Sequence, residues 1–441
     1  MARKRHVALG TSHVARGVAY CFVALLVAAC SVGPAPATQG SGNGAGTGGI
    51  NRPDQREKPH LVVVSFDGFR TDYLDRFDLP NFRRVMQRGA RARALRPVFP
   101  SSTFANHYSL VTGLYPERHG LVENSFYDPA RKAPYSFRDD RAVGDGSWYR
   151  GEPIWVTAET QGMVSACFFW PGSEAPITGV RPTFWNKYEG TIPNAVRVET
   201  VLEWLRLPTD RRPHVITLYF SELDSASHNG SLDGDGVARA AQSLDASLGQ
   251  LLDGVDALPI RHRIYLLLTS DHGMAETSAE QAVRLDTLID PARVRVGFSG
   301  PVASLHVTDA GDARAIRDQI NQRLTHGRAY LREEIPERLH YRANPRIGDI
   351  LILMDEGWRL TTSVVTRALI QKQWGDHGWD NGLESMRAIF ILAGPGIGQG
   401  ITIPEVENID VYPLMTELLG LRAASDIDGR AGWIRSLVVA R

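Results

Sequence analysis

Cysteine is nearly absent: the 441 residues contain three, Cys21, Cys30 and Cys167. Two of them lie in or at the end of an N-terminal leader. The single cysteine in the body excludes an intrachain disulfide framework and a cysteine-based zinc cluster. Net charge is lacking too, with 49 basic residues against 49 acidic. The leader holds Arg3, Lys4, Arg5 and Arg16 and no acid, so the remainder carries 45 basic residues against 49 acidic. A chain this near neutrality has no global electrostatic reason to bind nucleic acid. There is no internal repeat and no charge run longer than a few residues. A content of 43% hydrophobic, 22% charged and 8% aromatic residues is globular and excludes a disordered, collagen-like or coiled-coil chain. Without covalent staples, stability rests on a large core, which about 370 residues supply.

The leader's uncharged run Gly17–Ala29 (GVAYCFVALLVAA) comes after a basic start and is short for a permanent membrane helix. Residues 1–29 therefore read as a signal peptide. Val27-Ala28-Ala29-Cys30 resembles a bacterial lipobox, whose cysteine is lipidated after cleavage; the plainer alternative is cleavage after Ala35-Pro36-Ala37. The expectation is export to the periplasm or cell surface with a lipid anchor at Cys30, the only membrane contact expected. Residues 30–57 read as a flexible linker, since residues 31–50 hold seven glycines and no charge.

From residue 58 to about 430 the pattern is that of one folded body. Short runs rich in Val, Ile, Leu and aromatics read as buried strands at Leu61–Phe66, Val215–Phe220, Ile264–Thr269 and Ala388–Leu392. Helical stretches fall at Leu79–Arg88, Ala195–Leu205 and Val237–Leu258. Continuously apolar strands alternating with helices predict an α/β fold, a mostly parallel central sheet with helices on both faces. Residues 296–375 look different. Strand-like Ala303–Val307, helix-like Ala313–Leu324 and strand-like Ile350–Met354 predict a small α+β insertion.

The chemical signal lies at the ends of the strands. Leu61–Phe66 runs into Asp67-Gly68, Val215–Phe220 into Ser221-Glu222-Leu223-Asp224 with His228 beyond, and Ile264–Thr269 into Ser270-Asp271-His272-Gly273. Ligands of open α/β sheets bind beyond the carboxyl ends of the strands. An Asp after a strand is commonly a cap or turn former, but three strands delivering carboxylates to one edge make a self-repelling cluster that a divalent metal relieves. Mixed His/Asp ligation suits zinc. The loop Trp374-Gly375-Asp376-His377-Gly378-Trp379 adds a glycine-flanked histidine.

A hydroxyl is also available. Ser101, Ser102 and Thr103 come after a proline turn and precede helix-like Phe104–Thr112. A hydroxyl at a helix N-terminus sits in a field that favours its alkoxide and an incoming phosphate. Each of the three is equally able to be a plain N-cap, and periodicity does not choose among them.

These residues resemble the nucleotide pyrophosphatase/phosphodiesterases of the alkaline phosphatase superfamily. The resemblance lies in Val64-Ser65-Phe66-Asp67-Gly68-Phe69-Arg70, Phe99–Tyr108, Thr112–Gly120, Asn124–Pro129, Asp224–His228, Ser270–Met274 and Gly375–Gly378. The matches occur in the family's order over residues 58–422. It implies an alkaline-phosphatase-like fold and a metal-dependent hydrolase of phosphodiester or phosphoanhydride bonds. By it, Thr103 is the nucleophile, forming a phosphothreonine. One of two Zn2+ ions is held by Asp224, His228 and His377, the other by Asp67, Asp271, His272 and the Thr103 hydroxyl. Asn124 donates to a phosphate oxygen, and Phe104 and Tyr188 sandwich a nucleobase, so the expected partner is a nucleotide or other small phosphodiester, without a stable nucleic-acid partner.

The chain departs from the family at Ala105, where proline is common, and at Glu123, where a small or amide residue is usual. Two related activities are alternatives. A phosphomonoesterase needs extra positive charge, with Arg70 and Arg118 as candidates. A choline-phosphodiester hydrolase needs an aromatic and acidic cage, to which Trp170, Trp185 and Glu123 could contribute. A non-catalytic metal-binding lipoprotein is the remote reading, against which every ligand position and the nucleophile position hold a competent residue. His107 and His119 are expected to be structural.

Overall fold

The computed structural model describes residues 38–39, 48–362 and 372–437. The leader, Cys30, most of the 30–57 segment and 363–371 of the expected insertion lie outside the described residues. The described residues begin with β1 (Thr38–Gln39), β2 (His60–Phe66), α1 (Pro80–Arg88), β3 (Gly89–Ala92) and α2 (Thr103–Thr112). Then come β4 (Ser165–Phe168), β5 (Phe184–Asn186), α3 (Asn194–Arg206), β6 (Val215–Phe220), α4 (Glu222–His228) and α5 (Asp235–Asp256). Beyond these lie β7 (Ile264–Thr269), β8 (Ala275–Ser278), β9 (Val294–Phe298), β10 (Val302–Val307) and α6 (Ala313–Arg323). The last part holds β11 (Gly327–Leu331), β12 (Ile350–Met354), β13 (Gln373–Asp376), β14 (Phe390–Ala393), β15 (Ile401–Ile403) and α7 (Val411–Leu419).

Among the described residues nine strands form the central sheet, in the order β1-β5-β4-β6-β2-β7-β14-β3-β15. The five from β5 to β7 are mutually parallel, and β1 and β14 run against their neighbours. All seven residues of β2 are buried, and their alternation divides them between two cores. Leu61 and Val63 pack on one face with Tyr108 and Val111 of α2 and Leu414 of α7. Val62, Val64 and Phe66 pack on the other with Phe82 of α1, Val201 of α3 and Leu248 of α5. Each such aliphatic side chain contributes about 1.5–3 kcal/mol on burial, which is why a central strand reads as apolar without a gap.

Strand β14 begins two residues later than the sequence run suggests, because Ala388 is used instead in isolated bridges to Arg70 and Leu95. Strands β4 and β5 are not legible in the sequence; the residues Ser165–Phe168 and Phe184–Asn186 are too few and too mixed to show a period. A separate antiparallel sheet, β9-β10-β12-β11, packs Ile316 and Ile320 of α6 against its own small core. Ordered packing reaches upstream of Lys58: the Asn51 side chain donates to Thr209 O and Arg212 O and accepts from Val164 N.

Candidate metal centre and active site

Register explains why three distant acids meet. Strands β6, β2 and β7 are adjacent and parallel, with Phe66 opposite Phe220 and Ser65 opposite Thr269. Their carboxyl ends are therefore level, and Asp67, the start of α4 and Ser270-Asp271-His272 emerge side by side. The turn after β2 needs Gly68, whose φ is 68°; a Cβ there would lie 3.1 Å from Asp224 Cα. His377 arrives by a different route. Strand β13 pairs antiparallel with β8, Asp376 opposite Ala275, which sets His377 beside the chain that has just left His272. The expected loop is thus partly a strand, with Trp374 and Trp379 fully buried on either side of the histidine.

Two ligand sets result. One potential ligand atom from each of Asp224, His228 and His377 lies within 4.8 Å of the others, and the same holds for Asp67, Asp271 and His272. Asp224 and His228, one helical turn apart on α4, place Nε2 3.3 Å from Oδ1. His377 Nε2 is 3.6 Å from the same oxygen. In the second set His272 Nε2 lies 3.0 Å from Asp271 Oδ2 and 3.5 Å from Asp67 Oδ1. Thr103, the first residue of α2, puts its hydroxyl 3.4 Å from His272 Nε2.

The donor set fits divalent cations. Asp67 Oδ1, Asp224 Oδ1 and Asp271 Oδ2 are buried without a hydrogen-bond partner, an arrangement that is costly for a carboxylate unless a cation satisfies it. Each histidine donates from Nδ1 to a backbone carbonyl: His228 to Gly375 at 2.9 Å, His272 to Gly273 at 2.8 Å and His377 to Ser101 at 2.9 Å. That fixes the tautomer and leaves the Nε2 lone pair facing the carboxylates, the usual arrangement of a metal-ligating imidazole. Burial, then Asp271 and Asp224, drives the Asp67 carboxyl well above the usual carboxylate range. Burial has the same tendency at Asp224 and Asp271, but the neighbouring histidines together outweigh it and hold both low, His228, His377 and His272 around Asp224, and His272 and His107 around Asp271. Burial pushes His377 down to about 4, so it stays neutral.

A cavity of about 680 Å³ opens over the two sets, and Asp67, Thr103, Asp224, His228 and His377 reach it. Phe104, Asn124 and Tyr188 line it as well, so the structure gathers the residues expected to hold metal, nucleophile and nucleotide around one space; Asp271 and His272 lie beside Asp67 in its ligand set. Asn124 Oδ1 accepts from the Phe104 N–H at 2.8 Å, which turns its amide nitrogen away from that bond. Tyr188 is 48% exposed, its ring edge-on to Phe169 at 5.0 Å.

Among the residues named for the alternative activities, Trp170 and Glu123 line the cavity and Trp185 does not; Arg181 stands 5.4 Å over the Trp185 ring instead. Arg70 pairs with Asp72 and Arg118 with Asp426 and Asp428, and neither lines the cavity. Among the described lining residues the guanidinium groups are Arg138 and Arg359, the latter 2.9 Å from Asp376.

His107 bonds Ser65 Oγ at 2.8 Å and Thr103 O at 2.9 Å, and its Nδ1 lies 3.3 Å from Asp271 Oδ2. It therefore braces the hydroxyl-bearing turn and stands beside a carboxylate. His119 bonds Ser109 Oγ at 2.9 Å inside the core, and burial takes it down to about 3. Sequence reasoning missed Tyr219, whose hydroxyl donates to Asp67 Oδ2, and Phe137, whose ring lies 5.6 Å from Phe104. The available signal for Tyr219 was its place next to the end of an apolar strand that carries acids beyond it.

Known proteins share this chain's sequence and shape. A type I phosphodiesterase/nucleotide pyrophosphatase family model matches residues 61–380. Ectonucleotide pyrophosphatase/phosphodiesterase family member 1 of Homo sapiens is 38% identical over 393 residues, covering 87% of this chain and 42% of that protein. The chain thus spans about two-fifths of the length of that relative. The bis(5'-adenosyl)-triphosphatase enpp4 of Xenopus laevis is 35% identical over 370 residues, with 84% of this chain and 79% of that protein covered. Among solved structures, murine ectonucleotide pyrophosphatase/phosphodiesterase 5, in an inactive form in complex with AMP, superposes with a TM-score of 0.81 at 30% identity. That match covers 87% of this chain and all of the other. The α/β architecture is accordingly alkaline-phosphatase-like, and the chain belongs to the type I phosphodiesterase/nucleotide pyrophosphatase family.

Proposed function

We propose that this protein is a dinuclear-zinc phosphodiesterase and nucleotide pyrophosphatase that uses Thr103 as its nucleophile. The observation that carries the reading is the Thr103 hydroxyl beside His272 of one ligand set, in a site where one oxygen each of Asp67, Asp224 and Asp271 is buried without a partner. Asp67, Asp271 and His272 would hold one ion together with the Thr103 hydroxyl; Asp224, His228 and His377 would hold the other. Such ions lower the pKa of a coordinated hydroxyl and neutralise charge on phosphate and leaving-group oxygens.

The chain's own groups supply the rest. The Thr103 oxygen attacks phosphorus in line, a P–O bond to the leaving alcohol or phosphate breaks, and a phosphothreonine forms; water then attacks the same phosphorus and releases Thr103. The N-terminus of α2, which carries Thr103, puts its positive dipole end beside the phosphoryl group. Asn124, its oxygen tied to the Phe104 N–H, is left with its NH2 to donate to a phosphate oxygen. Phe104 and Tyr188 would take the nucleobase between them. A nucleotide substrate agrees with the AMP complex of the murine structure and with the name of the Xenopus laevis relative. Engagement of Arg70 and Arg118 elsewhere weakens the phosphomonoesterase alternative.

Export is read from the leader and agrees with the relatives named venom phosphodiesterases; lipidation at Cys30 is read from the lipobox alone and is tested by mass spectrometry of the mature N-terminus. No helix among the described residues is long and apolar enough to cross a membrane. For the chemistry, Thr103→Ala should abolish turnover of bis(p-nitrophenyl) phosphate while zinc content and melting temperature stay near those of the wild type. Turnover within tenfold of wild type would remove Thr103 from its role.

A further inference from the structure

The cavity's aromatic wall comes from three segments at the carboxyl ends of the neighbouring strands β5, β4 and β6. Phe169 comes directly after β4, Tyr188 lies in the turn between β5 and α3, and Tyr219 is the last residue but one of β6. Phe169 holds a left-handed backbone with φ 64°, an uncommon and costly conformation for an aromatic residue. The Tyr188 ring stands 5.0 Å from that of Phe169 and 6.1 Å from that of Tyr219. Half-exposed, Tyr188 makes few contacts of its own: its N–H reaches Glu174 Oε1 at 2.9 Å and its hydroxyl meets Ser221 Oγ at 3.2 Å.

Behind this wall sits Arg197 of α3, whose side chain is 1% exposed. Its Nε donates to Ile192 O at 2.9 Å, one terminal nitrogen to Gly190 O at 3.1 Å and the other to Tyr219 O at 3.2 Å. The guanidinium also lies 5.2 Å over the Phe169 ring and 5.8 Å over that of Phe220. One buried cation thus ties together the turn that carries Tyr188, the end of the strand that carries Tyr219, and the ring against which Tyr188 leans. Its formal charge is met mainly by carbonyl dipoles and ring faces; the nearest carboxylate oxygen, on Glu222, is 3.9 Å away. A buried charge is retained only where its hydrogen bonds are satisfied, and three fixed donors in a planar fork do this in a way lysine does not.

We infer that Arg197 is a positioning residue for nucleobase recognition: from behind the cavity it sets the aromatic wall that Tyr188 presents to the base, without touching substrate. This rests on the base-stacking reading proposed above. The consequence is selective. Loss of the fork loosens Tyr188 and Phe169, while Thr103, Asn124 and both ligand sets stay tied to α2, α4 and the ends of β2, β7 and β13.

The test compares Arg197→Lys with the zinc-loaded wild type on two substrates, thymidine 5'-monophosphate p-nitrophenyl ester and bis(p-nitrophenyl) phosphate. The expected result is a KM raised about tenfold for the nucleotide ester, with kcat and the base-free diester within twofold of wild type. In a Tyr188→Ala background the same substitution should cost nothing further on the nucleotide ester. Equal losses on both substrates, or a full additional loss in the Tyr188→Ala background, would overturn the inference. If Tyr188→Ala alone leaves the nucleotide KM unchanged, the base-stacking reading falls and this inference with it. If it raises KM and Arg197→Lys does not, the inference falls alone. Should Arg197→Lys not fold, hydrogen exchange on the wild type decides. The Arg197 Nε–H, donated to Ile192 O, should exchange far more slowly than a free guanidinium N–H, and exchange at the free rate would refute the clamp.

Discussion

Acid should destabilise this protein through a pair of histidines far from the cavity. His60 opens β2 and His214 immediately precedes β6, and their rings stack at 4.5 Å with an 8° interplanar angle. Each donates from Nδ1 to the carbonyl before the other, His60 to Pro213 and His214 to Pro59, both at 2.8 Å. Both Nε2 atoms are buried without a partner, so a second proton on either ring finds no acceptor and faces the other ring. Burial, reinforced by His214 and by Arg212 and Arg263 nearby, takes His60 down to about 3; burial, with the same two arginines, takes His214 down to about 4. In the unfolded chain both titrate near ~6.5.

Between about pH 6.5 and 4 the unfolded state binds protons that the folded state does not, so stability is complete above about 6.5 and is lost as pH falls toward the folded values. At pH 5 each histidine favours unfolding by about 2 kcal/mol relative to pH 7.5, roughly 4 kcal/mol for the pair. That is a large part of the ~5–15 kcal/mol typical of a folded domain. Urea unfolding of wild type and of the double variant His60→Asn/His214→Asn, at several pH values from 7.5 to 5, measures it. Asn keeps a donor for the carbonyl and cannot charge, so the variant should lose roughly 4 kcal/mol less than wild type over that range. Any weakening of the metal centre by acid is common to both proteins and cancels in the difference. Parallel stability curves would refute the reasoning.

Three more outcomes are expected at the cavity. Tyr188→Ala should raise KM for nucleotide esters by roughly 5- to 150-fold, the range of about 1–3 kcal/mol for stacking one base, and leave a base-free aryl diester little changed; equal effects on both would argue against stacking. Prolonged chelation should abolish hydrolysis and lower the melting temperature, because three buried carboxylates are then left facing one another, with zinc restoring both; full activity in rigorously metal-free protein would defeat the dinuclear reading. Glu123 lines the cavity with no lysine or arginine paired to it among the described residues and accepts from the Asn124 N–H at 2.9 Å. Burial pushes its carboxyl up to about 7, so above that pH its charge repels a dianionic monoester more than a monoanionic diester. Glu123→Gln should therefore raise the monoester-to-diester turnover ratio by about an order of magnitude, the scale of one charge acting at an effective dielectric near ~20. An unchanged ratio would show that Glu123 takes no part in the choice.

Much of the site is legible in the residues alone, because its chemistry is written in short local segments. Asp67-Gly68, Asp224 through His228 and Asp271-His272 each lie just beyond an apolar strand, and their residue types are those that bind metal. Two of those strands, Val215–Phe220 and Ile264–Thr269, have the bounds that the apolar runs indicate. Burial on both faces removes any polar alternation, so a central parallel strand announces itself by composition alone. The strands Ser165–Phe168 and Phe184–Asn186 are shorter and mix small and polar residues with aromatics, and they leave no such trace.

The sequence by itself settled which residues are present, where the inner strands run and which segments carry metal-binding chemistry, since these depend on side chains close together in the chain. Tertiary structure alone decided that the carboxyl ends of β6, β2 and β7 are level and that β13 pairs with β8 to bring in His377. It alone put Tyr219 on Asp67 and Arg197 behind the aromatic wall. Each of these depends on the register between segments remote in sequence and on which side of a packed layer a side chain emerges. Those are set by the joint packing of the two cores, and no local run of residues encodes them.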